Sequence, residues 1–387
     1  MKRHVVPTIY LFIYMIALGF SENMRGLFIP IIKNEFNIND SYIGYLLLIS
    51  SIGYILFQYI GGAIIQKLDH KRVYLIALVT TISAFVMIYF SKTFGMLLGA
   101  MFVLNAGFSL YSIATNSLIP VMFIGFQAVL MNLTHCCYGF GTSLGQRLTG
   151  LMLDKGIMWR ELYLLDGIIF TILLLVFFFI KFPSVHVESR KERTSLKSVL
   201  NNKLAVLFMF ALGFYVFSEL GVANWFANLL KTGYGFSQDK TSIYLAIFYF
   251  VFTIGRLVGG FIVEKVGHIK ALIVSLMCAM IIFLAGLIGG KGTVILISIS
   301  GFFFSIGFPT IVLIVNNTFK ENTSYILGIV ISAASTINMI INLIVGYLND
   351  IFGVYKTFYL IPISLFMTIL LLSIIKLKIS GKNQGSI

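Results

Sequence analysis

"GGAIIQKLDHKRVYLIAL" occupies residues 61–78 and "GGFIVEKVGHIKALIVSL" residues 259–276. A glycine pair opens each, Lys67 stands opposite Lys265, and His70 stands opposite His268. Nearly the same offset returns elsewhere. "FSE" at 20–22 pairs with "FSE" at 217–219, and "GLMLDKGIMWRELY" from Gly150 pairs with "GYLNDIFGVYKTFY" from Gly346. The chain therefore reads as one unit written twice, and the question becomes what kind of unit.

Around these copies the sequence is apolar: 59% hydrophobic residues and 11% charged. A soluble domain carries about a quarter charged residues to cover its outside, so the expected solvent is a bilayer. A spanning helix needs about 20 apolar residues. Twelve such runs are read, near 5–32, 41–66, 73–91, 94–118, 125–153, 160–181, 203–230, 241–264, 270–289, 293–316, 324–348 and 355–377. The first could pass for a signal peptide. It is too long for one, holds Glu22 and Arg25, and lacks a small-residue cleavage site, so it is read as a retained span.

The polar segment "KFPSVHVESRKERTSLKSVLNNK", 181–203, divides the spans six and six. The expected domains are thus 1–180, a cytoplasmic linker 181–203, and 204–387. A net charge of +14 raises nucleic acid as a partner, but its distribution argues otherwise. Seventeen lysines and arginines fall in the N-terminus, the linker, the tail and alternate loops, against eight in the other loops. That is the positive-inside bias, with both termini cytoplasmic. Cys136, Cys137 and Cys278 lie inside spans without metal-type spacing and read as small apolar residues.

The glycine-plus-basic signature after the second span, repeated after the eighth, resembles the loop motif of the major facilitator superfamily. In the second copy Gly260, Glu264, Lys265 and Gly267 match. In the first, Gly62, Lys67, Lys71 and Arg72 match, while Gln66 replaces an acid and Asp69 a glycine. A closer likeness is to the fucose-permease branch of sugar:proton symporters, carried by "IPIIKNEF" at 29–36, "MNLTHCCYGFGTSLG" at 131–145 and "WRELY" at 159–163. Those symporters carry acids late in the first span and in the fourth, where this chain has Gly26 and Ser112. The resemblance implies an all-α integral membrane fold with twelve transmembrane helices. These would form two six-helix bundles related by pseudo-two-fold symmetry, with solute bound between halves that rock to alternate access.

Ionisable residues at membrane depth are costly and default to functional candidates. Glu22 and Arg25 share a helical face, either as a neutralising gate pair or in direct contact with solute or proton. Glu219 has no basic residue nearby in sequence, so it reads as a proton carrier or as a static partner of Arg256 or Arg147. On the fifth span Asn132, His135, Gly139, Gln146 and Arg147 fall on one polar face, and Arg147 is expected near Arg25, the two forming an anion-attracting pair or sharing Glu22. His135 either touches solute or bonds a neighbouring helix. Asn224 and Trp225 suggest a bend in the seventh span where an aromatic stacks on solute, or else an interfacial anchor. Arg256, just before the second loop motif, suggests a structural role near the cytoplasmic gate. The glycine pairs 95/99, 141/145 and 255/259 should let helices approach closely.

"GTSLG" at 141–145 matches a hydrolase nucleophile elbow in letters only, because it lies inside an apolar helix rather than at a strand–turn–helix junction. No HExxH or phosphate loop is found, and no cofactor or metal is expected. The chain reads as a proton-coupled secondary transporter of a small polar solute, sugar or organic anion, and not as an enzyme. It would sit as a monomer in the cell membrane, in contact with lipid and not with nucleic acid. A drug or metabolite efflux antiporter, and an intramembrane enzyme or non-transporting sensor, are the alternatives.

Overall fold

The computed structural model of the protein describes residues 5–122, 127–182, 196–319 and 323–384; side chains at 62–63, 65–67, 117, 119–132, 323–325 and 380–384 lie outside that description. Most of the expected linker, 183–195, also lies outside the described residues. No strand occurs among the described residues, and the fold is all-α.

The chain forms two compact units, Met1–Arg190 with Phe236–Ala246, and Lys191–Gly235 with Ile247–Ile387. The first contains α1 (Val5–Asn23), α2 (Arg25–Phe36), α3 (Asp40–Leu68), α4 (His70–Tyr89), α5 (Phe94–Met122), α6 (Gln127–Asp154) and α7 (Trp159–Phe179). The second contains α8 (Leu196–Asn201) and α9 (Lys203–Asn228), which runs on into a π turn at Leu229–Gly233. After α10 (Gln238–Val266), whose first residues belong to the first unit, come α11 (His268–Ile288), α12 (Ile295–Phe304), α13 (Gly307–Thr318), α14 (Thr323–Phe352), α15 (Val354–Thr357) and α16 (Leu360–Gln384).

Eleven of the helical stretches are long and apolar enough to cross a membrane. The remaining long helix is α6, whose described part carries histidine, glutamine and arginine and is less apolar for that reason. Three spans read as continuous are broken. The first splits at Met24 into α1 and α2, the tenth at 305–306 into α12 and α13, and the twelfth at 358–359 into α15 and α16.

In the first unit α5 packs on α3 and α4, α4 on α7, and α1 on α6. Without a hydrophobic driving force inside lipid, close helix contact depends on small residues. A Cβ at Gly141 would stand 2.0 Å from the Ile16 carbonyl oxygen, and one at Gly19 would stand 2.1 Å from that of Tyr138. These glycines set the α1–α6 distance. Gly255 serves similarly against Phe302 in the second unit. Gly95 and Gly99 do not, because a Cβ at either meets open space. In the second unit α9 packs on α14 and α16, and α11 on α12 and α16.

The duplicated loop motif has duplicated backbone. Asp69 (φ 68°, ψ 161°) and Gly267 (φ 91°, ψ 137°) each precede the helix that follows their motif. That region is close to glycine-only territory. Asp69 occupies it while its side chain accepts the Arg72 N–H at 2.9 Å, capping α4. In the described part of these loops Lys71 and Arg72 are exposed, as are Glu264 and Lys265, whereas Gly62 and Lys67 fall on side chains outside the described residues.

"IPIIKNEF" and "WRELY" turn out to be two sides of one contact. Glu35 pairs with the Arg160 guanidinium and accepts the Trp159 indole N–H at 2.6 Å. Arg160 also donates to the Ser91 carbonyl through Nη2 at 2.8 Å and lies 4.3 Å from the Trp159 ring centroid. The clasp ties α2 to the start of α7. Both charges are partly exposed, so the ion pair itself contributes about 1 kcal/mol or less. A double-mutant cycle of Glu35→Gln and Arg160→Gln, read as thermal unfolding in detergent, should show non-additivity of that size. Strict additivity would remove the clasp as an energetic unit.

Candidate functional site

The break in the first span has a specific hydrogen-bond cause. In an unbroken helix Leu27 N–H would bond the Asn23 carbonyl. Here it bonds Met24 O at 2.9 Å instead, and the freed Asn23 carbonyl is taken by Gln146 Nε2 at 2.7 Å. A backbone carbonyl released inside a span must find such a partner, and a glutamine on α6 supplies it.

The residues flanking the break form one polar cluster. Tyr138 OH donates to Glu22 Oε2 at 2.8 Å and accepts from Asn23 Nδ2 at 2.9 Å. Thr142 Oγ1 donates to the Gly19 carbonyl at 3.1 Å. Arg25 stands close enough for its charge to act on Glu22. From the other side Tyr54, which donates to Ser112 Oγ at 3.2 Å, also lies within electrostatic reach of Glu22. Ser112 thus offers a hydroxyl in the same neighbourhood.

The stripe of α6 that meets this break is Tyr138, Thr142 and Gln146, spaced by four and so on one helical face. Gln146 was legible in the sequence; Tyr138 and Thr142 were not singled out, although the spacing could have found them. His135 is half-buried on α6, and the Asn132 side chain falls outside the described residues. Arg147 departs from expectation. It pairs with Asp239 and donates to Ser242 Oγ at 3.3 Å, so its charge is met there and not by Glu22. Asp166 on α7 was missed altogether. It is 1% exposed with Ser21 as its side-chain partner, and its Oδ2 has no hydrogen-bond partner among the described residues.

In the second unit Glu219 on α9 accepts from Tyr215 OH at 2.7 Å through Oε2. Arg256 Nη2 stands 3.7 Å from Oε1. Arg256 therefore accompanies Glu219, which is one of the two partners the sequence allowed. Five residues on, the helix runs unbroken through Asn224 and Trp225, and its hydrogen-bonding pattern changes at the π turn Leu229–Gly233. Trp225 is 1% exposed, which excludes an interfacial anchor, and its indole N–H donates to Asn342 Oδ1 at 2.9 Å. Asn224 donates to the same oxygen at 3.3 Å, and Asn342 Nδ2 donates to Asn338 Oδ1 at 2.8 Å. The asparagine row on α14 was not read from the sequence. Its signal is the i, i+4 spacing of Asn338 and Asn342 in an otherwise apolar span.

Each unit thus presents a carboxylate hydrogen-bonded by a tyrosine, an arginine near it, and uncharged amides at the same helix or the one beside it. Such a set can exchange hydrogen bonds with hydroxyl groups and hold or release a proton. Among the described residues no group of three or more metal-ligating side chains exists.

The family model described as "Major Facilitator Superfamily" matches residues 11–326. A relative from Brucella abortus biovar 1, named "Glucose/galactose transporter", is 24% identical over 364 residues, covering 89% of this chain and 88% of its own. Among solved structures, a D-xylose-proton symporter superposes with TM-score 0.76 at 15% identity over 96% of this chain and 97% of its own. The E. coli fucose:proton symporter superposes with TM-score 0.66 at 15% identity, over 96% and 99%.

Proposed function

Because the chain belongs to the major facilitator superfamily, we propose that this multi-pass membrane transporter moves a neutral sugar, driven by protons, by alternating access. The observation that carries the substrate is the likeness, over 89% of this chain, to a relative named for glucose and galactose. The chemistry agrees with it. Arg25 and Arg256 each have a glutamate near them, which leaves hydroxyl, amide and carboxylate groups to meet an uncharged polyol. Carboxylates accept from sugar hydroxyls, side-chain amides both accept and donate, and tyrosine adds a flat apolar face.

Glu219 is the proposed proton carrier, and Glu22 and Arg25 with Gln146 the proposed solute contacts in the first unit. The protein is proposed to work as a monomer in the cell membrane with both termini cytoplasmic, following the seventeen-to-eight charge asymmetry. The bundles 1–180 and 204–387 are its proposed moving parts. Counterflow in proteoliposomes loaded with glucose, galactose, fucose or xylose tests the substrate. Labelled hexose should enter against unlabelled hexose, and organic anions should not compete. Exchange of organic anions or lipophilic cations without sugar exchange would overturn the reading.

A further inference from the structure

Tyr215 is placed between two acceptors that compete for one proton. Its hydroxyl oxygen lies 2.7 Å from Glu219 Oε2 and 2.7 Å from the Phe304 carbonyl oxygen. A phenol has a single O–H to donate. If that proton serves Phe304, the short contact to Glu219 is satisfied only when the carboxyl itself carries a proton and donates to the phenol oxygen. If Glu219 is ionised, it draws the phenol proton, and the Phe304 carbonyl faces a lone pair at 2.7 Å.

Phe304 is the last residue of α12, at the break before α13 begins at Gly307. In an unbroken helix its carbonyl would accept from the Phe308 N–H. That N–H is instead the backbone hydrogen-bond neighbour of the Tyr215 hydroxyl. The phenol is therefore inserted into the helical ladder, which is a recognised cause of a break. The insertion needs Gly307, where a Cβ would stand 1.9 Å from the Tyr215 ring. Arg256 repeats the pattern. It donates through Nε to the Ser305 carbonyl at 3.4 Å while Nη2 faces Glu219 at 3.7 Å. Two donors are thus shared between one carboxyl and the two carbonyls of the break.

We propose that Tyr215 and Arg256 are positioning residues that convert the charge on Glu219 into the state of the α12–α13 break. With Glu219 neutral, both carbonyls are capped and the break is closed. With Glu219 ionised, both donors swing to the carboxylate and the break opens. Arg256 and Tyr215 are the charged and titratable groups that act on Glu219. Among the described side chains, the other charged and titratable groups on the elements packed against α9 are Lys197 on α8, Lys231 in the π turn, Tyr347 and Asp350 on α14, and Lys376 and Lys378 on α16, and α12 and α13 carry none. The inference rests on the reading of Glu219 as the proton carrier, and it supplies the step from proton to conformation.

Hydrogen exchange of the full chain in lipid nanodiscs tests it without transport. Peptides spanning 304–310 are followed from acid to mildly alkaline pH, corrected for the pH dependence of intrinsic exchange. In the wild type, protection should fall about fivefold as pH rises, the loss of one typical hydrogen bond. Glu219→Gln, whose amide donates to the phenol as a protonated acid does, should hold the protected value throughout. Tyr215→Phe, nearly the same shape, should hold the unprotected value throughout. A wild-type step that survives in either variant, or no step in the wild type, overturns the proposal. Loss of proton-driven sugar uptake by the wild type would instead refute the coupling reading while leaving the exchange step intact.

Discussion

Glu219→Gln is expected to exchange sugar across the membrane at close to the wild-type rate while losing accumulation driven by a pH gradient. Counterflow requires the carrier to reorient with solute bound on both sides, and no proton need be released. Glutamine imitates the protonated carboxyl, donating to the Tyr215 oxygen, so the solute-loaded cycle persists. Accumulation requires the proton to leave on one side. With one proton per solute, a pH difference of one unit can sustain about a tenfold sugar gradient, since 1.4 kcal/mol is a factor of ten. In the variant that ratio should fall to one. Undiminished accumulation in Glu219→Gln would take this residue out of the mechanism and return attention to Glu22 and to the buried Asp166.

Glu22→Gln should behave differently because its carboxylate has a different role. Tyr138 accepts from Asn23 and donates to Glu22. That chain of hydrogen bonds ends on an acceptor, and Arg25 lies close enough to be its counter-charge. Removing the negative charge weakens the acceptor on which the Tyr138 hydrogen bond ends, and a hydrogen bond to a charged group contributes about 1.5–3 kcal/mol. Counterflow and proton-driven uptake should both fall, by roughly 10- to 100-fold. Arg25→Gln should do the same from the other side. Counterflow within about threefold of wild type in both variants, with protein present in the membrane, would make the pair at most structural.

The contrast between the two glutamates, each in an "FSE" triplet, shows how far the letters reach. Both were identified from the sequence, because charge in an apolar run is conspicuous and the duplication aligns them. Their tyrosine partners were not. Tyr138 lies 116 residues from Glu22, and nothing local marks it. Tyr215 lies one turn before Glu219 and was within reach of a helical-spacing argument, but the feature that makes it consequential, the Phe304 carbonyl, lies 89 residues away.

The sequence by itself determined the class of the protein: spans of bilayer length, their alternation with basic loops, the internal duplication, and the polar residues that hydrocarbon would reject. Those properties follow from composition summed along the chain, and the bilayer enforces them segment by segment. The tertiary structure alone decided where helices break and which charges meet. Gln146 claims the Asn23 carbonyl from 123 residues away, Tyr215 enters the ladder at Phe304, and Arg147 turns to Asp239 rather than to Glu22. A helix breaks where a foreign side chain takes over its backbone hydrogen bond, and that donor belongs to another helix whose approach is set by packing, not by its own letters.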